Sequence, residues 1–216
     1  MARQARAEVT REALVHAAGT VFSRTTYANA TLAEVIADAG VTQGALYFHF
    51  ESKHALALEV IRRQHETSIR AGQRFLEGGN RGLEAMVLLS AELARQITTE
   101  PIVRGGLRLS TESAELFGEH ASRPYTDWIT AAEGFLTQAT EDGDMPSTIE
   151  VSIVARFVIS AFTGVQVVSQ ATTGWADLYD RLEEMWAIVL PSIAVPERRT
   201  DLERLPALVH PNATTG

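Results

Sequence analysis

The sequence predicts an all-α protein: an N-terminal three-helix domain built around a helix-turn-helix, followed by a larger helical domain. Three observations lead there. Apolar residues recur at the helical period, as at Ala13, Leu14, Ala17, Ala18, Val21 and Phe22. Alternating strand patterns and hairpin dipeptides are scarce. Helix-starting and helix-stopping residues punctuate the periodic stretches.

Each element follows in order. A first helix is expected from Ala7 to Ser23. Thr31 is a good N-cap for a second, with Glu34 three residues on completing a capping box and Leu32, Val35 and Ile36 as its buried face. Gly40 ends it, because glycine adopts the left-handed conformation that closes a helix. Thr42 caps a short third helix, and Ser52 a long fourth that reaches Phe75. After the Gly78-Gly79-Asn80 break, helices are expected over Gly82–Thr98 and 102–111, with a loop over 112–123. Pro124 opens a helix to Thr140, residues 141–144 form a polar turn, and two last helices cover 148–170 and 175–190 before Pro191. The expected division is 1–53, 54–196 and a flexible tail, 197–216.

Composition narrows the function. The 216 residues are 45% hydrophobic and contain no cysteine, so a real core is available while disulfides and thiol chemistry are excluded. No apolar run follows the N-terminal arginines, and no stretch of about 18 uninterrupted apolar residues suggests a membrane span. A soluble, cytoplasmic protein without a membrane partner is expected. The net charge is −8, yet residues 1–53 are balanced and the first eleven carry +2. Either this is chance scatter, or the N-terminus has been relieved of negative charge so that it can approach phosphates.

The stretch VTQGALYFHFESK, residues 41–53, carries the functional signal. Two short helices joined by Ala-Gly-Val form a helix-turn-helix, with Thr42 starting the recognition helix. Its hydroxyl and the adjacent free N–H groups suit a DNA phosphate. Gln43 suits adenine or a phosphate. Gly44 and Ala45 keep the helix slim, Leu46 and Phe50 face inward, and Tyr47 and His49 point toward the DNA backbone. Lys53 adds a cation, while Arg6 and Thr31 complete the DNA-facing set. A generic helical hairpin in an interaction module is the plain alternative.

Catalysis finds little support. His49, His54 and His65 with Glu51 might suggest a metal site, but His49 and His54 lie five apart across a helix break. There is no glycine-rich phosphate loop and no Gly-x-Ser-x-Gly elbow. No catalytic residue, metal or cofactor is expected.

Residues 31–53, TLAEVIADAGVTQGALYFHFESK, resemble the DNA-binding signature of TetR-family repressors. Within it, GVT-x-GALYFHF is similar to one branch, the γ-butyrolactone autoregulator receptors of actinomycetes. So are MARQ-x-RA at the start, PIVRGGLRLS (101–110), PYTDW (124–128), FTGVQVVSQ (162–170) and LPSIAVP (190–196). The resemblance covers nearly all of the chain except the tail. Two positions depart from it: Gln43 stands where these receptors usually have lysine, and Arg-Thr-Thr-Tyr (24–27) lacks the usual glycine before the tyrosine.

The resemblance implies a dimeric repressor of double-stranded operator DNA, released by a small diffusible lactone-like signal and controlling secondary metabolism such as antibiotic biosynthesis. Trp128 is the implied ligand contact, its indole offering an apolar wall and one N–H donor. Gln64 matches a ligand-contacting position in some relatives. Thr163 interrupts an apolar helix and either bonds its own backbone or reaches the ligand. Leu88, Phe135, Val158 and Phe162 serve equally well as pocket lining or as core. The last two helices are apolar over more than one face, which points to a homodimer interface through Phe157, Gly164, Leu178, Leu182, Met185 and Trp186. γ-Butyrolactones, butenolides and furan carboxylic acids all fit as ligands. A sensor of antibiotics or other hydrophobic compounds, including a pseudo-receptor of the same fold, is the rival reading.

Overall fold

The computed structural model describes residues 2–112 and 114–211. Among them there are helices and no strands. The chain order is α1 (Ala2–Arg24), α2 (Leu32–Ala39), α3 (Gln43–His49), α4 (Lys53–Glu77), α5 (Gly82–Thr99), α6 (Pro101–Glu112), α7 (Ala114–Phe117), α8 (Glu119–Glu141), α9 (Val151–Thr173) and α10 (Leu178–Ile193). A C-terminal segment follows, with α11 (Arg199–Leu202) between 3-10 turns at Pro196–Arg198 and Pro206–Val209. The all-α prediction therefore holds, with three local corrections.

The described residues of the 112–123 stretch are mostly helical and do not form a loop. α6 runs to Glu112, α7 follows, and α8 starts at Glu119, so Pro124 lies in its second turn. A proline there loses one helical hydrogen bond but still has the φ a helix needs. The final helices each run about three residues past their expected ends, to Thr173 and Ile193. The segment after Pro196, expected to be a flexible tail, is folded as far as Val209. Leu202, Leu205 and Val209 are buried, and His210 Nε2 meets Glu183 Oε2 at 2.8 Å. Its apolar residues sit at spacings that give one buried side, a pattern that the proline content obscured.

The chain divides into two compact units: residues 1–68 with 99–124, and 69–98 with 125–216. The first packs α1, α2, α3, the start of α4 and α6 around one core. Leu14, Ala18, Phe22, Val35, Leu46 and Leu56 are all buried in it. Phe117, from the stretch expected to be a loop, closes this core at 3% exposure, with Tyr27 edge-on to its ring and His54 stacked on it. α1 and α6 cross almost in contact. A Cβ on Gly105 would lie 2.5 Å from Gly19 O, so neither helix tolerates a side chain there.

Glu59 ties α1 to α4. Its carboxylate takes Arg11 at 2.9 Å, Arg62 at 2.5 Å and Arg63 at 3.1 Å, and Arg63 also reaches Glu12. Burial pushes the Glu59 carboxyl up, but the hydrogen bonds from Arg62, Arg63 and Arg11 outweigh it and hold the group at about 2. A folded-state value below the unfolded one stabilises the fold above the unfolded value, and that contribution is lost as pH falls through the folded value. Acid titration of the urea midpoint should show a decline beginning near the ordinary carboxyl value of 4.5 and continuing toward 2. Glu59→Gln should flatten part of that decline. An unchanged acid slope in the variant would remove this network from the account.

The second unit is organised by α5, most of α8, α9 and α10. Gly82 lies so close to Phe135 O and the Ala139 backbone that any Cβ would overlap them. Trp186 is 1% exposed and donates its indole N–H to Ser90 Oγ at 2.8 Å. Asp144 is fully buried and takes Arg81 Nη2 at 2.7 Å and Arg198 Nε at 2.9 Å. Its own backbone oxygen accepts from Val195 N at 2.9 Å. One carboxylate thus joins the start of α5, the end of α8 and the C-terminal segment.

Candidate functional site

The helix-turn-helix is built by its caps. Thr31 and Glu34 form the expected capping box: Glu34 N donates to Thr31 Oγ1 at 3.2 Å, and Thr31 N donates to Glu34 Oε2 at 2.9 Å. These bonds hold the Glu34 carboxyl below its usual value. Gly40, at φ 64°, ends α2 in the left-handed conformation, and the chain turns through Val41 into Thr42. Thr42 caps α3, its Oγ1 accepting from Ala45 N at 3.2 Å. Removing the first cap should be felt: Thr31→Ala is expected to destabilise the protein by about 1 kcal/mol. Chemical denaturation reads this directly, and an unchanged midpoint would show that the box contributes nothing.

α3 buries Leu46 and turns an outer face to solvent. Phe50, its C-cap, is buried as well. Thr42, Gln43, Gly44 and Tyr47 are exposed, Ala45 and His49 are half-buried, and Thr31 and Arg6 are exposed on their own helices. The structure thus gathers Thr42, Gln43, Gly44 and Tyr47 on one surface. Lys53 departs from its expected role. Its ammonium donates to Tyr27 O at 2.7 Å and Ala30 O at 2.9 Å, and lies 4.5 Å from the Tyr27 ring centroid. Instead of standing out as a free cation, Lys53 closes the turn that precedes α2.

That turn also explains the missing glycine at Arg-Thr-Thr-Tyr. Among the described non-glycine residues only Trp175 has a positive φ, so α1 ends without one. Thr25 N continues onto Val21 O at 3.1 Å, Thr26 O accepts from Ala30 N at 3.0 Å, and Lys53 holds the Tyr27 carbonyl.

Sequence reasoning overlooked one residue on the recognition face. Phe48 is 76% exposed, its ring meeting that of His49 edge-on at 5.0 Å. Helical spacing from Gly44 was the signal that could have found it, since residues four apart share a face.

The expected ligand contacts separate by environment. In the first unit Gln64 is 1% exposed. Its Nε2 donates to Ser68 Oγ at 3.2 Å, whereas Oε1 is buried with no partner among the described residues. A side chain on Gly106 would overlap Gln64, so the glycine of the Arg-Gly-Gly-Leu stretch makes the room Gln64 occupies. In the second unit Trp128 is half-buried and meets the Tyr125 ring edge-on at 5.2 Å. Burial raises the Tyr125 phenol above its ordinary value. Phe135 and Val158 are core side chains at 1% and 4% exposure, while Leu88 and Phe162 are half-buried. Thr163 takes the bonding that a helical threonine favours, donating to Ile159 O at 2.8 Å.

The proposed interface residues divide sharply. Leu178, Leu182, Met185 and Trp186 cannot form a surface between protomers, because each is already buried inside its own chain. The apolar stripe they make on α10 is satisfied by the core, and Trp186 is bonded there. Phe157 and Gly164 are exposed on α9. They share a face with Ile153 and Val168, both exposed large apolar side chains, and Ile188 stands exposed on α10. α9 is also long and apolar enough to pass a composition test for a membrane span, although Arg156, Gln166 and Ser169 interrupt it.

Comparison with known proteins matches these features. Residues 6–60 fit the model of bacterial regulatory proteins of the tetR family, and residues 80–196 that of the tetracyclin repressor-like C-terminal domain. The A-factor receptor protein of Streptomyces griseus is 38% identical over 196 residues, covering 91% of this chain and 68% of that protein. A solved gamma-butyrolactone receptor, described as an ArpA-like protein, superposes at TM-score 0.80 with 34% identity, over 94% of this chain and 98% of the other. CprB of Streptomyces coelicolor, solved in complex with its operator sequence, is 34% identical at TM-score 0.77, over 94% of this chain and 96% of the other.

Proposed function

The chain belongs to the TetR family of bacterial regulatory proteins, and from that premise we propose that it represses transcription by binding operator DNA as a dimer and lets go when a γ-butyrolactone-type signal binds. It is a regulator and not an enzyme. The observation that carries the reading is likeness to receptor structures over nearly the whole length of both chains, at 34% identity, in a protein whose α3 presents an exposed recognition face. Likeness in the N-terminal part alone would have supported DNA binding without a signal class.

Thr42, Gln43, Gly44 and Tyr47 form the DNA-facing set in this reading, supported by Thr31, Arg6 and His49. Trp128 is the ligand wall. Gln64, in the other unit, is a separate candidate for a polar contact: its buried Oε1 has no donor among the described residues, which is costly unless something supplies one. A hydroxyl group on the ligand would do so. Leu88 and Phe162 retain enough exposure to line the site, while Phe135 and Val158 act through the core behind it. Thr163, bonded to its own helix, is not assigned to the ligand.

A twofold dimer presents two recognition helices, which read successive major grooves when about 34–36 Å apart. The ligand must bind a state of different spacing more tightly than the DNA-competent one, because equal affinity would shift nothing. We assign the protomer contact to the exposed face of α9 with Ile188 of α10. Fluorescence anisotropy tests the whole reading, using labelled DNA from upstream of the protein's own gene and a panel of γ-butyrolactones, butenolides, furan carboxylic acids and antibiotics. The expected result is tight binding at low salt that a γ-butyrolactone or butenolide reverses. Release by antibiotics alone would replace the signal class with that of a drug sensor, and absence of DNA binding would overturn the repressor assignment.

A further inference from the structure

We infer that Phe48 is a base-reading residue that packs on the 5-methyl group of a thymine in the major groove, with Gly44 supplying the clearance for that approach. The inference rests on the operator-binding reading and goes beyond it by naming what the recognition helix reads. Three observations carry it.

The first is exposure. Phe48 is the most exposed large hydrophobic side chain among the described residues, at 76%, and it lies on the helix that faces DNA. A phenyl ring makes no hydrogen bond to a phosphate. In the major groove, the apolar feature it can recognise is the thymine methyl.

The second is Gly44. A Cβ built there meets nothing within 4 Å, and its φ is not positive, so neither packing nor backbone conformation within the protein requires glycine. Glycine inside a helix is unfavourable relative to alanine. A residue that weakens its own helix without any internal reason implies a close approach from outside. Gly44 lies one turn before Phe48, so the clearance and the ring share one face.

The third is the chemistry of that face. Thr42, Gln43, Gly44, Tyr47 and Phe48 are its exposed residues, and none carries a charge. Thr42 and Tyr47 can still bond phosphates through their hydroxyls, but with no cation to draw it to the backbone the rest of this surface is suited to base edges. A glutamine amide pairs with the N6 and N7 atoms of adenine. Gln43 shares a face with Tyr47, and Gly44 shares the neighbouring one with Phe48, so the exposed surface of α3 offers an amide on one side and an apolar ring on the other, suited to a half-site rich in A·T pairs.

The test uses duplexes that the full-length protein selects from a random-sequence pool. Each thymine of the selected half-site is then replaced by deoxyuridine, which removes only the methyl group. One position per half-site is expected to weaken binding about fourfold, the change for returning one methyl group to water. Phe48→Ala should bind more weakly, keep its Tm and lose that sensitivity, because the ring that felt the methyl is gone. Gly44→Ala should separate stability from binding, raising Tm by about 2–4 °C while weakening affinity for the selected duplex. Deoxyuridine tolerated at every position, or an equal loss in Phe48→Ala, would overturn the assignment while leaving operator binding intact. Failure to select any duplex would bring down the operator reading, and this inference with it.

Discussion

Asp144→Ala is expected to destabilise the C-terminal unit by about 3–5 kcal/mol, the range found when one partner of a buried ion pair is removed. The carboxylate is fully buried, and the two guanidinium groups that bond it are themselves partly shielded. Burial raises the Asp144 carboxyl, and the bonds from Arg81 and Arg198 more than reverse this, so its net shift is downward. Truncation would leave two arginines facing each other with no anion between them. It would also free the segment after Pro196, whose Arg198 is held there. Urea unfolding followed by circular dichroism gives the loss. Limited proteolysis should show cleavage near residues 196–205 that the native chain resists. Arg198→Ala should cost less, because Asp144 keeps Arg81. A shift below about 1 kcal/mol for Asp144→Ala would show that solvent replaces both arginines, as it does at ordinary surface pairs.

This carboxylate also illustrates what was legible in the sequence and what was not. The caps at Thr31 and Thr42 were readable because a cap is local: donor and acceptor lie three residues apart. The recognition helix, its outer face and the long fourth helix followed from the same kind of short-range rule. Asp144 stood in a run of acidic turn residues and looked like a solvated turn. Its partners lie 63 and 54 residues away, and no periodicity encodes a contact of that span. The structural role of Lys53 was hidden for the same reason, since the carbonyls it bonds belong to residues 26 and 23 positions earlier. Phe117 was lost because Pro124 suggested a helix start five residues too late, which left α7 and the first turn of α8 inside an expected loop.

The α10 stripe shows a different limit. Leu178, Leu182, Met185 and Trp186 were read correctly as one buried face, but a hydrophobic pattern does not say which chain buries it. Only burial within the protomer separates the core stripe from the stripe left over. On α9 the leftover stripe is distinct: Ile153, Phe157, Gly164 and Val168 recur at helical spacing, and the three apolar side chains are about half exposed or more. Contiguous exposed apolar surface of this kind marks an interaction site in a soluble protein.

The largest functional effect is therefore expected from Phe157→Glu combined with Ile188→Glu. Both side chains are exposed in the protomer, at 58% and 71%, so the charges replace no core packing and the isolated fold should survive. A twofold interface presents each substitution twice, on self-complementary surfaces. Four new carboxylates would have to be desolvated near one another on an otherwise apolar face, a strongly unfavourable arrangement. The variant should elute as a monomer in size-exclusion chromatography with light scattering. Operator affinity should fall by roughly 10²- to 10⁴-fold, because a second half-site bound in the same complex benefits from a high effective concentration that a monomer lacks. Affinity for a single half-site should change little, since α3 is untouched. Leu182→Glu is the contrasting variant. Leu182 is fully buried in its own chain, so this charge should unfold the protein before it separates protomers. If Phe157→Glu with Ile188→Glu stayed dimeric at micromolar concentration and bound full operator DNA unimpaired, the exposed α9 face would not be the protomer contact, and the two recognition helices would have to be held together elsewhere.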